Sequence, residues 1–344
     1  MTPTHYLSSP FGRLPLRVII TNLALLLTML TLLTLAIRLG SLALTSRDVW
    51  LAFAHFFTHN NHDTNIVTIV TQWRAPRAIM ALLLGAGLGV SGAIFQSITR
   101  NPLGSPDIVG FNTGAYTGAL VTIILFDSGY YRVASGAMLG GIATAAVIYL
   151  LAWRQGISGF RLIIIGIAIS AILAAFNTWL KITGSLDSVM TAALWAAGTL
   201  NGMTWAKAQP ALSLIPVTIL ATLLLGRRLH LLEMGDDSAR ALGVNAEASR
   251  LWLMLCGILL TAVATACAGP ISFIALAAPQ IARRLIKASA TPLLCSALVG
   301  AVLLIMADII AQHSFSAIQL PVGAVTVSLG GLYLIGLLIQ EARR

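Results

Sequence analysis

Long apolar runs separated by short polar stretches dominate this chain. The first, at about residues 18–37, has roughly the 20 residues that a helix needs to cross the hydrocarbon core of a bilayer. Nine similar runs follow at about 78–98, 108–126, 133–153, 161–181, 208–226, 251–269, 271–286, 293–312 and 322–340. The pattern predicts an all-α integral membrane protein of about ten transmembrane helices that form a single domain over residues 1–344. Around Gly269 and Pro270 it is compatible with two helices or with one broken helix.

Composition agrees with a bilayer environment. The chain is 58% hydrophobic and 9% charged, whereas a soluble domain carries about 25% charged residues. The three cysteines, Cys256, Cys267 and Cys295, lie in apolar runs without CxxC spacing. They therefore predict packing residues and indicate neither a disulfide framework nor a metal site.

The net charge of +10 reflects topology better than nucleic-acid binding, because the basic residues sit in short loops and not on one surface. With the N-terminus inside, fourteen of the 21 basic residues fall on the cytoplasmic side: Arg13, Arg17, Arg100, Arg154, Arg161, Arg227, Arg228, Arg240, Arg250, Arg283, Arg284, Lys287, Arg343 and Arg344. Seven fall outside: Arg38, Arg47, Arg74, Arg77, Arg132, Lys181 and Lys207. This bias predicts a multi-pass membrane protein with both termini in the cytoplasm.

Small residues recur at four-residue spacing in several runs. In the second run they are Ala81, Gly85, Gly89, Ala93 and Ser97. Such stripes let helix backbones approach closely in lipid, so they predict a tight bundle. They do not predict a substrate.

The longest polar stretch on the predicted cytoplasmic side is residues 227–250. Residues 229–234 predict one short helix, broken by Gly235, and residues 238–242 predict a second, ended by Gly243 in a left-handed conformation. The acidic pair at 236–237 stands where a cap and a favourable helix-dipole charge belong. A compact knob of this kind suits docking to a partner protein, and a solvated connector is the alternative.

Residues 232–244, which read LEMGDDSARALGV, resemble the coupling region of the iron-chelate (FecCD-type) permease family, which includes the vitamin B12 permease. In that family two short helices here take up the motion of ATP-binding subunits. The resemblance assigns ATPase coupling to Glu233, Met234, Gly235, Asp236, Asp237, Ala239, Leu242 and Gly243.

Other matching segments extend the resemblance from about Leu39 to the C-terminus. They are RNPLGSPDIVG at 100–110, GPISFIALAAPQIAR at 269–283 and LPVGAVT at 320–326. In the first, Ser105 followed by Pro106 predicts a capped helix start. Gln280 departs from the pattern, since many relatives have histidine there. The runs at 160–166 and 231–237 look most like the ferric-enterobactin permeases.

Two further assignments follow from the resemblance. The motif WRAPR at 73–77 implies that Arg74 and Arg77 pair with acidic residues of a periplasmic binding protein, with interfacial snorkelling as the alternative. The segment Ser158, Gly159 and Phe160 is implied to line the cytoplasmic gate.

The resemblance implies the permease subunit of an ATP-binding-cassette importer that moves a ferric siderophore, ferric enterobactin in particular, inward by alternating access. The implied partners are an ATPase dimer, a second identical or homologous permease and a periplasmic siderophore-binding protein. No GxxxxGK[ST] loop occurs, so we expect ATP and Mg²⁺ to be used by the partner ATPase, and this chain to bind no cofactor and perform no catalysis. Another iron chelate, haem, vitamin B12 and an ion-coupled carrier remain as alternatives.

Two other groups of residues could indicate different chemistry. His55, His59 and His62 with Asp63 have a spacing that suits a metal, but they lie in a polar external stretch that predicts a solvated loop. Asp308 lies in an apolar run, where an acid is costly and often functional, although it is close to the predicted external end and an interfacial position is equally compatible.

Overall fold

Helices make up almost all of the described chain. The computed structural model describes residues 6–9, 12–40, 42, 44–58, 64–107, 110–126, 129–153, 159–287, 291–315 and 319–342. In order, the elements are β1 (Tyr6–Ser9), β2 (Gly12–Pro15), α1 (Leu16–Arg38), α2 (Ser46–Thr58), α3 (Thr64–Thr68), a π-helical segment (Ile69–Arg74), α4 (Ala75–Thr99), α5 (Phe111–Leu125), α6 (Tyr130–Ala152), α7 (Gly159–Thr183), α8 (Leu186–Ala196), α9 (Trp205–Leu224), α10 (Gly226–Glu233), α11 (Asp236–Ala241), α12 (Ala246–Ala268), α13 (Ile274–Ile286), α14 (Leu293–His313) and α15 (Val322–Ala342).

Each of the ten predicted apolar runs corresponds to a helix: α1, α4, α5, α6, α7, α9, α12, α13, α14 and α15. Seven helices of the described chain are long and apolar enough to cross a bilayer. The two helices flanking Gly269 are separate, because Gly269 has φ +74° and Phe273 has φ +72°. The 13 residues of α13 make a helix roughly 20 Å long. It is therefore shorter than the ~30 Å hydrocarbon core, and it lies within the apolar run predicted at 271–286.

Several elements were not predicted. The strands β1 and β2 pair antiparallel, from Tyr6 opposite Pro15 to Ser9 opposite Gly12. Helices α2, α3 and α8 are also new. The helix that contains α4 runs without a break from Asn65 to Thr99, so residues 73–77 lie within it and do not precede it. The polar side chains of this segment interrupt the apolar pattern but not the backbone.

Helix α4 lies at the centre of the bundle and packs against α14, α12, α13 and α9. Its small residues meet the backbone of α14: a Cβ atom on Gly85 would collide with the carbonyl of Gly300, and one on Gly89 with the carbonyl of Ser296. The close helix packing predicted from the small-residue stripe is therefore confirmed.

The segment between α4 and α5 stays irregular for longer than its sequence predicts. Helix α5 begins at Phe111 after Gly110, which has φ +93°, so the helix start predicted at Ser105 and Pro106 is wrong. Asp107 explains the difference. Its Oδ1 accepts a hydrogen bond of 2.7 Å from Asn112 Nδ2, and its Oδ2 accepts one of 3.3 Å from the Phe273 amide. The first bond ties the segment to α5, and the second ties it to the residue before α13.

Candidate functional site

Helices α10 and α11 form a polar knob at one end of the bundle (residues 226–243). Gly235 has φ +117° and Gly243 has φ +79°, conformations that glycine adopts without steric cost. The two short helices, the break at Gly235 and the left-handed Gly243 were predicted correctly. The second helix begins at Asp236, however, and not at residue 238.

The carboxylate of Asp236 does not cap α11, because Gly235 occupies the cap position. Its Oδ1 accepts hydrogen bonds of 2.6 Å from Arg100 Nη2 and 2.7 Å from Arg250 Nη2. Burial alone would raise the pKa of Asp236, but the hydrogen bonds and charges of these two arginines outweigh it and lower the pKa. The predicted cap is thus an ion-paired attachment of the knob to α12 and to the end of α4.

Glu233, at the end of α10, also faces the bundle. Its Oε1 accepts a hydrogen bond of 2.6 Å from Ser97 Oγ and another from the Thr291 hydroxyl, and it lies 3.7 Å from Arg283 Nη2. The Thr291 amide donates to its other oxygen at 3.3 Å. Glu233 therefore ties the knob to α4 and to the turn between α13 and α14.

The eight predicted coupling residues fall into two groups by exposure. Ala239 is fully buried, and Glu233, Gly235 and Asp236 are half-buried. Met234 is 67% and Leu242 is 63% exposed, and Asp237 and Gly243 are exposed beside them. Two exposed apolar side chains on a polar knob suit contact with another protein.

The opposite end of α4 carries Arg77, which forms an ion pair with Asp308 of α14. Arg77 Nη2 lies 2.9 Å from Asp308 Oδ1, and Arg77 Nε donates to Oδ2 at 3.1 Å. Gln312 Nε2 donates to Asp308 Oδ2 at 2.7 Å, and Arg77 Nη1 donates to Gln319 Oε1 at 3.3 Å. Asp308 is 0% exposed, so its side chain faces the interior of the bundle.

Arg74 is likewise engaged inside the chain. Its guanidinium donates to the backbone carbonyls of Ile37, Arg38 and Leu42 at 2.9, 3.0 and 2.6 Å. Both arginines line a cavity of about 540 Å³ at this end. Docking of a binding protein by these residues stays a prediction, and each guanidinium already has partners that a docking carboxylate would have to join or displace.

The predicted gate segment starts α7 at the knob end of the bundle. Ser158 lies outside the described residues. A Cβ atom on Gly159 would lie 2.7 Å from the Thr99 backbone, so no side chain fits there. Phe160 is 73% exposed. The contact of Gly159 with Thr99 places Phe160 at the same end of the bundle as the knob and leaves its predicted gating role untested.

Comparison with known proteins identifies the chain's relatives. The profile of the FecCD transport family matches residues 26–340. The chain belongs to the FecCD transport family. It is 55% identical over 322 residues to the ferric enterobactin transport system permease protein FepG of Escherichia coli (strain K12), covering 93% of this chain and 98% of that protein.

Less similar proteins also match this chain over most of its length. The vitamin B12 import system permease protein BtuC of Yersinia pseudotuberculosis is 31% identical over 303 residues, covering 87% of this chain and 88% of that protein. An ABC transporter of the metal-chelate type, solved in an inward-facing conformation, matches with a TM-score of 0.80 at 27% identity, over 93% of this chain and 98% of that one. The predicted all-α importer-permease fold is confirmed.

Sequence reasoning about this FecCD chain missed the residues that hold the knob. Arg250 and Arg100 both pair with Asp236, and Thr291 and Ser97 both bond to Glu233. Ser97 and Glu233 are 136 positions apart, and no local pattern joins positions that distant. Arg100 alone had a signal, because it opens a segment that matches the family.

The histidine group contributes no described site. His59, His62 and Asp63 lie outside the described residues, and the side chain of His55 is not described. The backbone at His55 is helical, within α2, and not a loop as predicted. Among the residues that the structure describes, no group of three or more metal-ligating side chains occurs.

Proposed function

We propose that this FecCD protein is the transmembrane permease subunit of an ATP-binding-cassette importer that carries ferric enterobactin from the periplasm to the cytoplasm by alternating access. The observation that carries the proposal is the 55% identity over 93% of the chain to a permease named for ferric enterobactin transport. The alternative substrates for a permease of this fold and mechanism are another iron chelate, haem and vitamin B12.

The orientation rests on charge. The threading predicted from the sequence puts fourteen of the 21 basic residues on the same side as residues 227–250, which supports a cytoplasmic knob and cytoplasmic termini. The end of α4 that carries Arg77 then faces the periplasm, where the siderophore-binding protein delivers its cargo. The membrane is the bacterial inner membrane.

The coupling step uses the two groups of knob residues differently. The ATPase dimer docks on the exposed side, where Met234 and Leu242 offer the apolar contact. Glu233 and Asp236 pass the movement into the bundle, because both are bonded to α4 or its end. The partner binds ATP and Mg²⁺, and this chain supplies only the mechanical linkage.

A second permease, identical or homologous, completes the pathway. A ferric tris-catecholate is bulky and anionic, so the pathway between the two subunits should present few acidic groups. Asp308, the acid within an apolar span of the described chain, is buried and neutralised by Arg77. An ion-coupled carrier needs an ionisable group that can bind and release the coupling ion. The ion pair with Arg77 therefore argues against that role for Asp308.

The test is reconstitution of the permease with its candidate partner permease, ATPase and binding protein in proteoliposomes. We expect uptake of iron-labelled ferric enterobactin, reduced by excess unlabelled ferric enterobactin and not by ferric hydroxamates, haem or vitamin B12. Uptake of one of those competitors in place of ferric enterobactin would overturn the substrate assignment.

A further inference from the structure

Helix α13 has unusual ends. Among the described residues, three non-glycine residues have a positive φ: Arg100 at +50°, Phe273 at +72° and Lys287 at +50°. Phe273 and Lys287 are the two residues that bound α13, and Arg100 is one of the residues that hold the knob. Non-glycine residues in this region are uncommon and cluster where a fold switches between states.

The end of α13 near the knob is connected to it. Arg283 donates a hydrogen bond to the Thr291 hydroxyl, and the same hydroxyl bonds to Glu233 of α10. Arg283 Nη2 itself lies 3.7 Å from Glu233. A displacement of α10 therefore acts on the last turn of α13 through charged and hydrogen-bonded contacts.

The segment that joins α4 to α5 runs beside α13 and is bonded to it twice. Gln280 Nε2 donates to the Pro102 carbonyl at 2.7 Å, and the Phe273 amide donates to Asp107 at 3.3 Å. At its beginning, Arg100 donates to the Leu232 carbonyl of α10 at 3.1 Å. The knob thus reaches α13 by two routes, one through Glu233 and one through this segment.

The far end of α13 reaches a cavity wall. The Phe273 ring occupies the space that a side chain at Gly330 of α15 would need. Next to it, Pro270 and Ser272 line an open cavity of about 360 Å³ together with Gly323. Movement of α13 along its axis would therefore reshape a surface that is distant from the knob.

We propose that α13 moves as a unit and carries movement of the knob to the wall formed by Pro270, Ser272 and α15, and that Gln280 is the positioning residue that makes residues 101–107 move with it. The proposal rests on the proposed ATP-driven transport. A short helix bounded by left-handed residues can shift as a unit, because the backbone change is absorbed at its two ends. A histidine at position 280 has a ring N–H that could donate the same hydrogen bond.

The experiment measures uptake of ferric enterobactin per ATP hydrolysed by the complete transporter in proteoliposomes. Gln280→Leu removes the donor at similar volume. We expect the ATPase rate to persist while uptake per ATP falls roughly fivefold. This is the change in an equilibrium constant that corresponds to the net free energy of one hydrogen bond. Gln280→His should restore the ratio. The matched control is Gln209→Leu at an exposed position of α9, which should change nothing.

An unchanged ratio in Gln280→Leu, or a loss that histidine does not restore, would overturn the proposal, while an active wild-type transporter would leave the proposed function intact. If the leucine variant fails to assemble, distances between spin labels in the otherwise wild-type transporter test the proposal instead. Cysteines at the exposed positions Met234, Leu285 and Leu150 carry the labels. We expect ATP to leave the 234–285 distance unchanged and to change the 150–285 distance. Movement of the knob relative to a stationary Leu285 would refute the proposal that α13 moves with the knob.

Discussion

The buried pair of Arg77 and Asp308 offers a quantitative test of the end opposite the knob. The Arg77 side chain is 13% and the Asp308 side chain 1% exposed. Asp308→Asn leaves the guanidinium buried without its counter-charge. Removing one partner of a buried pair costs about 3–5 kcal/mol, whereas replacing both with apolar residues of similar volume is often neutral. The double variant Arg77→Met with Asp308→Leu should therefore recover most of the loss.

The assay is a denaturant titration of the purified permease in mixed micelles, which gives its free energy of unfolding. The control is Arg47→Met, an exposed arginine of α2, which should change stability by less than about 0.5 kcal/mol. Asp308→Asn with wild-type stability would refute the burial argument. A double variant as unstable as the single one would refute the inference that the cost arises from an unpaired charge.

The double variant also separates two roles of Arg77. It removes the positive charge from a chain that we expect to fold normally. If Arg77 docks the binding protein, stimulation of the ATPase by loaded binding protein is lost in the folded double variant. If Arg77 only holds α4 against α14, stimulation persists. The sequence resemblance predicts the first result, and the internal pairing makes the second a direct challenge to it.

Three further outcomes are expected. Gly243→Ala, in open space but at φ +79°, should cost about 1–2 kcal/mol and reduce uptake per ATP, while Gly243→Asn should retain more of it, as transport assays would show. Because the pKa of Asp236 is lowered, its stabilisation of the knob should be complete above the usual aspartate value of about 4 and be lost as pH falls through the lower folded pKa. Amide hydrogen exchange of residues 236–243 measures this, and Asp236→Asn should abolish the pH dependence; protection that already disappears near neutral pH would contradict it. Phe160→Ala should leave unfolding stability unchanged, because the ring is 73% exposed, and should raise passive leak if the ring closes the gate.

How far the sequence predicts the fold depends on how local the signal is. The apolar runs marked a helix for each expected span, and Gly235 and Gly243 marked the two ends of α11, because length, hydropathy and left-handed backbone are local properties. Helix α8 and the helical backbone through Arg74 were missed. The first is too short to read as a span, and the second carries Arg74, whose guanidinium donates to backbone carbonyls of the chain itself.

The sequence identified which residues belong to the site but not which residues they contact. Motif similarity pointed to Glu233 and Asp236, but it assigned them with their neighbours to one docking surface. The structure turns both toward the bundle, and their partners come from α4, α12 and the turn after α13. Arg77 and Asp308 are 231 positions apart. Pairings over such separations depend on the assembled bundle, and one sequence does not encode them locally.

The most direct test of the account is the energy source for transport. Proteoliposomes with the permease pair are loaded with ATP or given a proton or sodium gradient, with and without the ATPase, and supplied with loaded binding protein and ferric enterobactin. We predict uptake only when the ATPase and ATP are both present. Uptake driven by an ion gradient in liposomes that lack the ATPase would contradict the account.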